Sequence, residues 1–202
     1  MTKIKRILLT GDDGYNSIGT RLLIQALKSD FELSVIATRE QQSGVGGKVS
    51  VVGGGKWGQA QVDGVPAIWL DGTPCDCMEC AKEFYPQPFD LIISGINLGV
   101  NIGGSIISSG TFSAAYRGVC LGVAPRAIAI SWDVQYHLLY RNHSGKESIR
   151  KFYNYPGKTV AKLLRQAMMH NFWDSPLLNI NLPAQPTSRA RFTKLLLDIY
   201  GY

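Results

Sequence analysis

Two adjacent carboxylates, Asp12 and Asp13, follow the apolar run Ile7-Leu8-Leu9 and precede Gly14. Side by side, two such acids repel each other unless a cation or a set of donors holds them. The pair therefore reads either as metal ligands or as turn chemistry, with Asp capping the next helix and Gly14 at positive φ. Two other strand-like segments also end near a hard oxygen donor: Ser43 follows the second and Asn97 follows Leu91–Ser94. Carboxylate, hydroxyl and amide oxygens suit Mg²⁺ or Mn²⁺, and the lack of His or Cys in the set argues against zinc or copper. Ser109-Gly110-Thr111 precedes a helical segment, and a helix N-terminus attracts phosphate through its free N–H groups and dipole. A divalent metal beside a phosphate cradle is equipment for phosphoryl chemistry, in which the metal polarises a P–O bond and acidifies water.

The elements that must bring these residues together are α/β in pattern. Ile7–Thr10 reads as a buried parallel strand, a near-continuous apolar run. Ile18, Leu22, Leu23, Ala26 and Leu27 recur at helical spacing, and Leu33–Ala37 is a second strand, so the chain opens with a βαβ unit. Val49–Val52 reads as a third strand. Asp63-Gly64 between Gln59–Val62 and Ala67–Leu70 signals a hairpin, taken as a small insertion on the main sheet. Asp71-Gly72-Thr73-Pro74 is turn chemistry leading into a helix with Asp76 in its first turn. Leu91–Ser94 is a further strand, followed by a glycine-rich loop, Gly95–Gly104, that holds Asn97 and Asn101. A helix through Ala114, Ala115 and Val119, a strand Ala127–Ser131, a helix through Val160 and Leu164, and a strand Leu177–Leu182 complete the pattern. The fold class is a Rossmann-like, mostly parallel, doubly wound sheet, in which ligands collect past the carboxyl ends of the strands.

At 202 residues, 45% hydrophobic and 18% charged, the chain has the makings of one core, and a single domain over 1–202 is expected. No apolar run has the length of a membrane span. The apolar run after Lys3, Lys5 and Arg6 is cut short by Asp12, too early for a signal-peptide core, so a cytoplasmic location is expected. The net charge of +6 favours anionic partners such as a phosphorylated small molecule. Cys75, Cys77 and Cys80 do not supply the two pairs that structural zinc requires, and the nearest histidine in sequence is His137; buried reduced thiols are the expectation. His137, His143 and His170 fall in no acid–base arrangement and read as surface or capping residues. Trp57, Trp69, Trp132 and Trp173 read as packing residues, with Trp132 alone near a strand end.

The sequence resembles the SurE (survival protein E) family of metal-dependent nucleotidases. The matching pieces are Leu8-Leu9-Thr10-Gly11-Asp12-Asp13-Gly14, Ser43-Gly44, Gly72–Cys77, Ser94–Asn101, Ser109-Gly110-Thr111 and Asn179-Ile180-Asn181-Leu182-Pro183, in the family's order. The resemblance implies hydrolysis of nucleoside 5′- and 3′-monophosphates. It places one divalent cation, Mg²⁺ or Mn²⁺, on Asp12, Asp13, Ser43 and Asn97, with Asn101, Ser109, Gly110 and Thr111 holding the phosphate. Asp12 or Asp13 would serve as general base for a directly attacking water. The chain departs from the family at Gly11, where Asn is usual, and at Arg117, where Glu is common. It also reaches Tyr202 soon after Thr193-Lys194-Leu195, a segment like the start of the tail through which family members form dimers or tetramers. The tail is thus expected to be short or truncated, and a homodimer or homotetramer is expected if it is present.

Two other classes set the contrast. A binding module could keep the metal and phosphate pocket while losing catalysis. An RNA-binding protein would draw on the positive charge and on the basic and aromatic residues of Tyr136–Tyr155, but no RNA-reader signature accompanies them. A haloacid dehalogenase arrangement is excluded, because its two aspartates are spaced one residue apart and here they are adjacent.

Overall fold

The structure is a computed structural model that describes residues 4–52, 55–170 and 175–193. Lys3, Trp173, Lys194, Leu195 and Tyr202, named above, lie outside the described residues. Seven strands form one sheet: β1 (Arg6–Thr10), β2 (Glu32–Thr38), β3 (Trp57–Val62), β4 (Val65–Leu70), β5 (Leu91–Leu98), β6 (Ala127–Trp132) and β7 (Leu177–Leu182). Their order is β3-β4-β2-β1-β5-β6-β7. Every pairing is parallel except that of β3 with β4. Leaving out the antiparallel edge strand β3, this is the order of dinucleotide-binding sheets, with its topological switch between β1 and β5.

The helices are α1 (Ile18–Leu27), α2 (Pro74–Phe84), α3 (Gly110–Cys120) and α4 (Lys158–His170). Two apolar clusters show which face each helix covers. One joins Leu9, Ile93 and Ile130 with Leu23 of α1 and Leu164 of α4; the other joins Leu8, Ile92 and Ala129 with Met78 of α2 and Ala115 of α3. The alternation of Leu8 and Leu9 between clusters is the period-two pleat of a strand buried on both sides. Small residues let α3 lie close to the sheet: a side chain at Gly118 would run into Ile92 and Met78.

Local signals worked where they were complete. Ser17 caps α1 by accepting from the Thr20 N–H. Thr73 and Asp76 form a capping box on α2 with Pro74 in its first turn, as Asp71-Gly72-Thr73-Pro74 predicts. Asp63 and Gly64, both at positive φ, make the hairpin turn.

Three expectations are corrected. Val49–Val52 is not a strand, and Val51 and Val52 are 89% and 90% exposed. The hairpin is not an insertion, because β4 pairs in parallel with β2 and is part of the main sheet. The strand predicted at Leu91–Ser94 runs on to Leu98. A bulge there sets two residues, Gly95 and Ile96, against one on β6, so that Asn97 pairs with Ser131. Asn97 is therefore a strand residue re-aimed by a bulge, not a loop residue.

Among the described residues no helix is long and apolar enough to cross a membrane. Cys75, Cys77, Cys80 and Cys120 are all free thiols; Cys75 and Cys77 are buried as expected, while Cys80 is half-buried and Cys120 exposed.

Candidate active site

The carboxyl ends of β1 and β5 are adjacent, and Thr10 pairs with Ser94. Gly11, Asp12, Asp13, Gly95, Ile96 and Asn97 line a crevice at this switch point. Both aspartates are buried. The Thr111 hydroxyl donates to Asp12 Oδ1 at 2.5 Å, and the Leu98 N–H donates to Asp13 Oδ2 at 2.8 Å. Burial pushes the Asp12 carboxyl above its ordinary value, against the Thr111 hydroxyl and the Thr111 and Gly110 amides, which pull it down. Asp13 is pushed well above, first by burial and then by the Asp12 charge, with only the Leu98 amide opposing. Neither set of donors offsets the cost of taking two anions out of water.

Next to Leu98, the Asn97 side chain donates to the Gly99 carbonyl at 2.7 Å, but its buried Oδ1 has no hydrogen-bond partner. Buried polar atoms normally find partners. Two under-compensated carboxylates beside an unpartnered amide oxygen form a donor set that fits a hard divalent cation. Among the described residues no three His, Cys, Asp or Glu side chains cluster closely enough to hold a metal. The set therefore depends on neutral oxygens to complete it.

Two loops close on this crevice through the main chain. The Gln42 N–H donates to the Asp12 carbonyl at 2.7 Å, which brings the loop carrying half-buried Ser43 beside Asp12; the Gly46 N–H donates to the Ser108 carbonyl at 2.9 Å. Ser109 caps α3, its hydroxyl accepting from the Phe112 N–H at 3.0 Å. Gly110 packs so tightly that an added Cβ would lie 2.9 Å from Asp12 Cβ, Asp12 Oδ2 and Pro74 Cγ. The N-terminus of α3 thus faces Asp12 directly.

Asn101 lies further along the same edge. Its side-chain amide donates to Ser131 Oγ at 3.0 Å and its N–H donates to Asn181 Oδ1 at 2.8 Å. Its carbonyl accepts from both Asn179 and Asn181, at 2.9 and 3.1 Å. Among the described residues no hydrogen bond joins Asn101 or Ser43 to either aspartate. The clamp of Asn179, Asn181 and Ser131 was missed in the sequence. Its signal was there, since two asparagines at i and i+2 share one face of a strand, but only the register of β7 shows what they hold.

The family model described as "Survival protein SurE" matches residues 7–201. The chain belongs to the SurE family. It is 35% identical over 184 residues to a protein named 5′-nucleotidase SurE from Methanopyrus kandleri, covering 88% of this chain and 66% of that one. It is 33% identical over 196 residues to one of the same name from Pelotomaculum thermopropionicum, covering 94% and 68%. The crystal structure of a SurE protein from Aquifex aeolicus superposes with a TM-score of 0.70 at 28% identity, over 89% of this chain and 66% of that one. The chain thus spans about two thirds of the length of these relatives.

The remaining residues of interest serve structure. Arg117 pairs with Glu79 and ties α3 to α2. Trp132 is buried against Phe152 and Tyr155, a packing role. Trp57 is half exposed, against Phe84. Exposed His137 and His170 stand at or near helical ends, and half-buried His143 is held below its ordinary pKa by burial.

Proposed function

We propose that this chain is a metal-dependent nucleotidase that hydrolyses nucleoside 5′- and 3′-monophosphates to nucleoside and phosphate. The observation that carries the reading is the pair of buried, under-compensated aspartates beside the unpartnered Asn97 oxygen, at the switch point and facing the N-terminus of α3. Family membership and the relatives' printed name, 5′-nucleotidase, support it. Asp12, Asp13, Asn97 and Ser43 would hold one Mg²⁺ or Mn²⁺ ion. When bound, it supplies Lewis-acid polarisation of the ester and water of lowered pKa.

The chain's own residues do the rest. Thr111 fixes the Asp12 carboxylate, while the N-terminal turn of α3 at Ser109, Gly110 and Thr111 offers the positive end of its dipole to the phosphate. The amide clamp holds Asn101 at the other side of the phosphate. An attacking water gives its proton to one of the two aspartates as its oxygen bonds to phosphorus; the bond from phosphorus to the ester oxygen breaks, and that oxygen takes the proton back to leave as the nucleoside hydroxyl. A cytoplasmic location, and a homodimer or homotetramer if the family's tail is present, complete the proposal.

The test is release of phosphate from AMP by the purified chain in Mn²⁺ or Mg²⁺, and its loss with chelator. A folded chain that stays inert across several divalent ions overturns the reading. Nucleotide binding by calorimetry without hydrolysis would then favour a binding module. RNA affinity that falls steeply with salt would favour the third class.

A further inference from the structure

Beyond the crevice, a cavity of about 240 Å³ opens at the carboxyl ends of β2 and β4. Its wall includes Glu40, Gln42, Lys48, Asp71, Gly72 and Thr73. None of these was singled out in the sequence as a ligand. Two of its walls also belong to the candidate active site. Gln42 donates its N–H to the Asp12 carbonyl at 2.7 Å, and Thr73 precedes Pro74, which packs against Gly110 at the start of α3. The cavity therefore adjoins the α3 N-terminus, where the phosphate is placed.

Its chemistry is that of a polar, uncharged guest with several hydroxyls. The side chains of Glu40, Gln42 and Lys48 form no hydrogen bond or ion pair with other described residues, so their donors and acceptors remain free. Asp71 is taken up by Arg39 at 3.4 Å, and Arg39 in turn lies over the Trp69 ring. The Thr73 hydroxyl is also committed, donating to the Lys48 carbonyl at 2.6 Å. One free carboxylate, one free carboxamide and one free ammonium match a diol: hydroxyls donate to the first two and accept from the third. An acid just past the second strand of such a sheet is where a ribose diol is bound in dinucleotide-binding folds. The volume lies below the roughly 300 Å³ at which pockets begin to engulf a drug-sized ligand, so it fits a sugar ring rather than a whole nucleotide.

We propose that this cavity is the ribose subsite, with Glu40 accepting hydrogen bonds from the 2′- and 3′-hydroxyls of a nucleoside 5′-monophosphate whose phosphate lies at Asp12 and Gly110. The proposal rests on the nucleotidase reading for the phosphate's position, but its sugar chemistry has a test of its own.

Turnover of AMP, of 2′,3′-dideoxy-AMP and of p-nitrophenyl phosphate is compared between the wild-type chain and Glu40→Gln. The wild type is expected to favour AMP over the dideoxy nucleotide by about tenfold in kcat/KM, the scale of a hydrogen bond to a charged group. Glu40→Gln should remove most of that preference and narrow the gap between AMP and p-nitrophenyl phosphate. Lys48→Met provides a second variant with the same expected direction. A wild type that does not distinguish AMP from its dideoxy analogue overturns the proposal, as does a Glu40→Gln variant that lowers all three substrates equally. Calorimetric binding of adenosine, which carries no phosphate, separates the two readings. If no substrate turns over, the nucleotidase reading fails, and the subsite then stands only if adenosine binds, 2′,3′-dideoxyadenosine binds at least several-fold more weakly, and Glu40→Gln weakens adenosine alone.

Discussion

The crevice between β1 and β5 and the N-terminal cap of α2 each hold aspartate away from bulk water, and they treat it in opposite ways. Asp76 is partly buried, which by itself would raise its pKa. The Thr73 and Ser50 N–H groups and the Ser50 hydroxyl donate to it at 2.7 to 2.8 Å, and together they hold it below its ordinary value. Asp13 receives one main-chain N–H, lies beside the Asp12 charge, and is held well above its ordinary value. Where donors are complete the carboxylate stabilises the fold. Where they fall short, the fold carries a cost that a positively charged ligand can remove, the pattern of a candidate functional site.

The largest expected effect is on the crevice. Asp13→Asn keeps an acceptor for the Leu98 N–H while removing the charge. Turnover of AMP should fall about 10³-fold, the scale for losing a group that stabilises transition-state charge. The melting temperature of the metal-free protein should hold or rise at neutral pH, because an uncompensated buried anion has gone. A fall in stability without loss of turnover would reverse the contrast with Asp76.

The next effect is a pH dependence of metal stabilisation. A folded-state pKa above the unfolded value of 3.8 means that the folded chain binds the extra proton. The contribution of Asp13 to stability is therefore lost as pH rises through the carboxylate range towards its raised pKa. A cation held by Asp13 competes with that proton, so the rise in melting temperature on adding Mn²⁺ should be larger at pH 7 than at pH 5. Differential scanning fluorimetry with Mn²⁺ or chelator measures it, and equal shifts at both pH values would break the argument.

The smallest effect is at the cap. Asp76→Ala should cost about 1 kcal/mol by denaturant unfolding. A lowered pKa contributes above the unfolded value and is lost as pH falls through the folded one, so the cost should fade in acid, the opposite trend to Asp13.

How much of this was legible beforehand divides by distance along the chain. The α2 cap, the Asp63-Gly64 turn and the stripe of α1 are set by neighbours within a few residues, and the sequence carries them in full. Val49–Val52 offered an apolar run like a strand, but a strand needs a partner edge, and β4 takes the place beside β2. The extension of β5 through Gly95 was hidden because a bulge looks like loop glycine until its partner strand is known. Of the crevice, Asp12 and Asp13 were legible from their position after β1, whereas Asn97 was read as following a strand that in fact runs through it. Asn179 and Asn181 were not assigned a role, because the carbonyl they hold lies some 80 residues away in sequence.

The loops around Asp12 are fastened by backbone: Gln42 to Asp12, Gly46 to Ser108 and Arg39 to Leu70 all join through N–H and C=O groups. A backbone fastening is indifferent to the side chain borne by the residue that makes it. Glu40 and Gln42, whose side chains bond to no other described residue, are thus open to exchange while the scaffold under the two aspartates stays put. Under the proposed reaction, substitutions there would retune which alcohol is released from phosphate without disturbing the two aspartates.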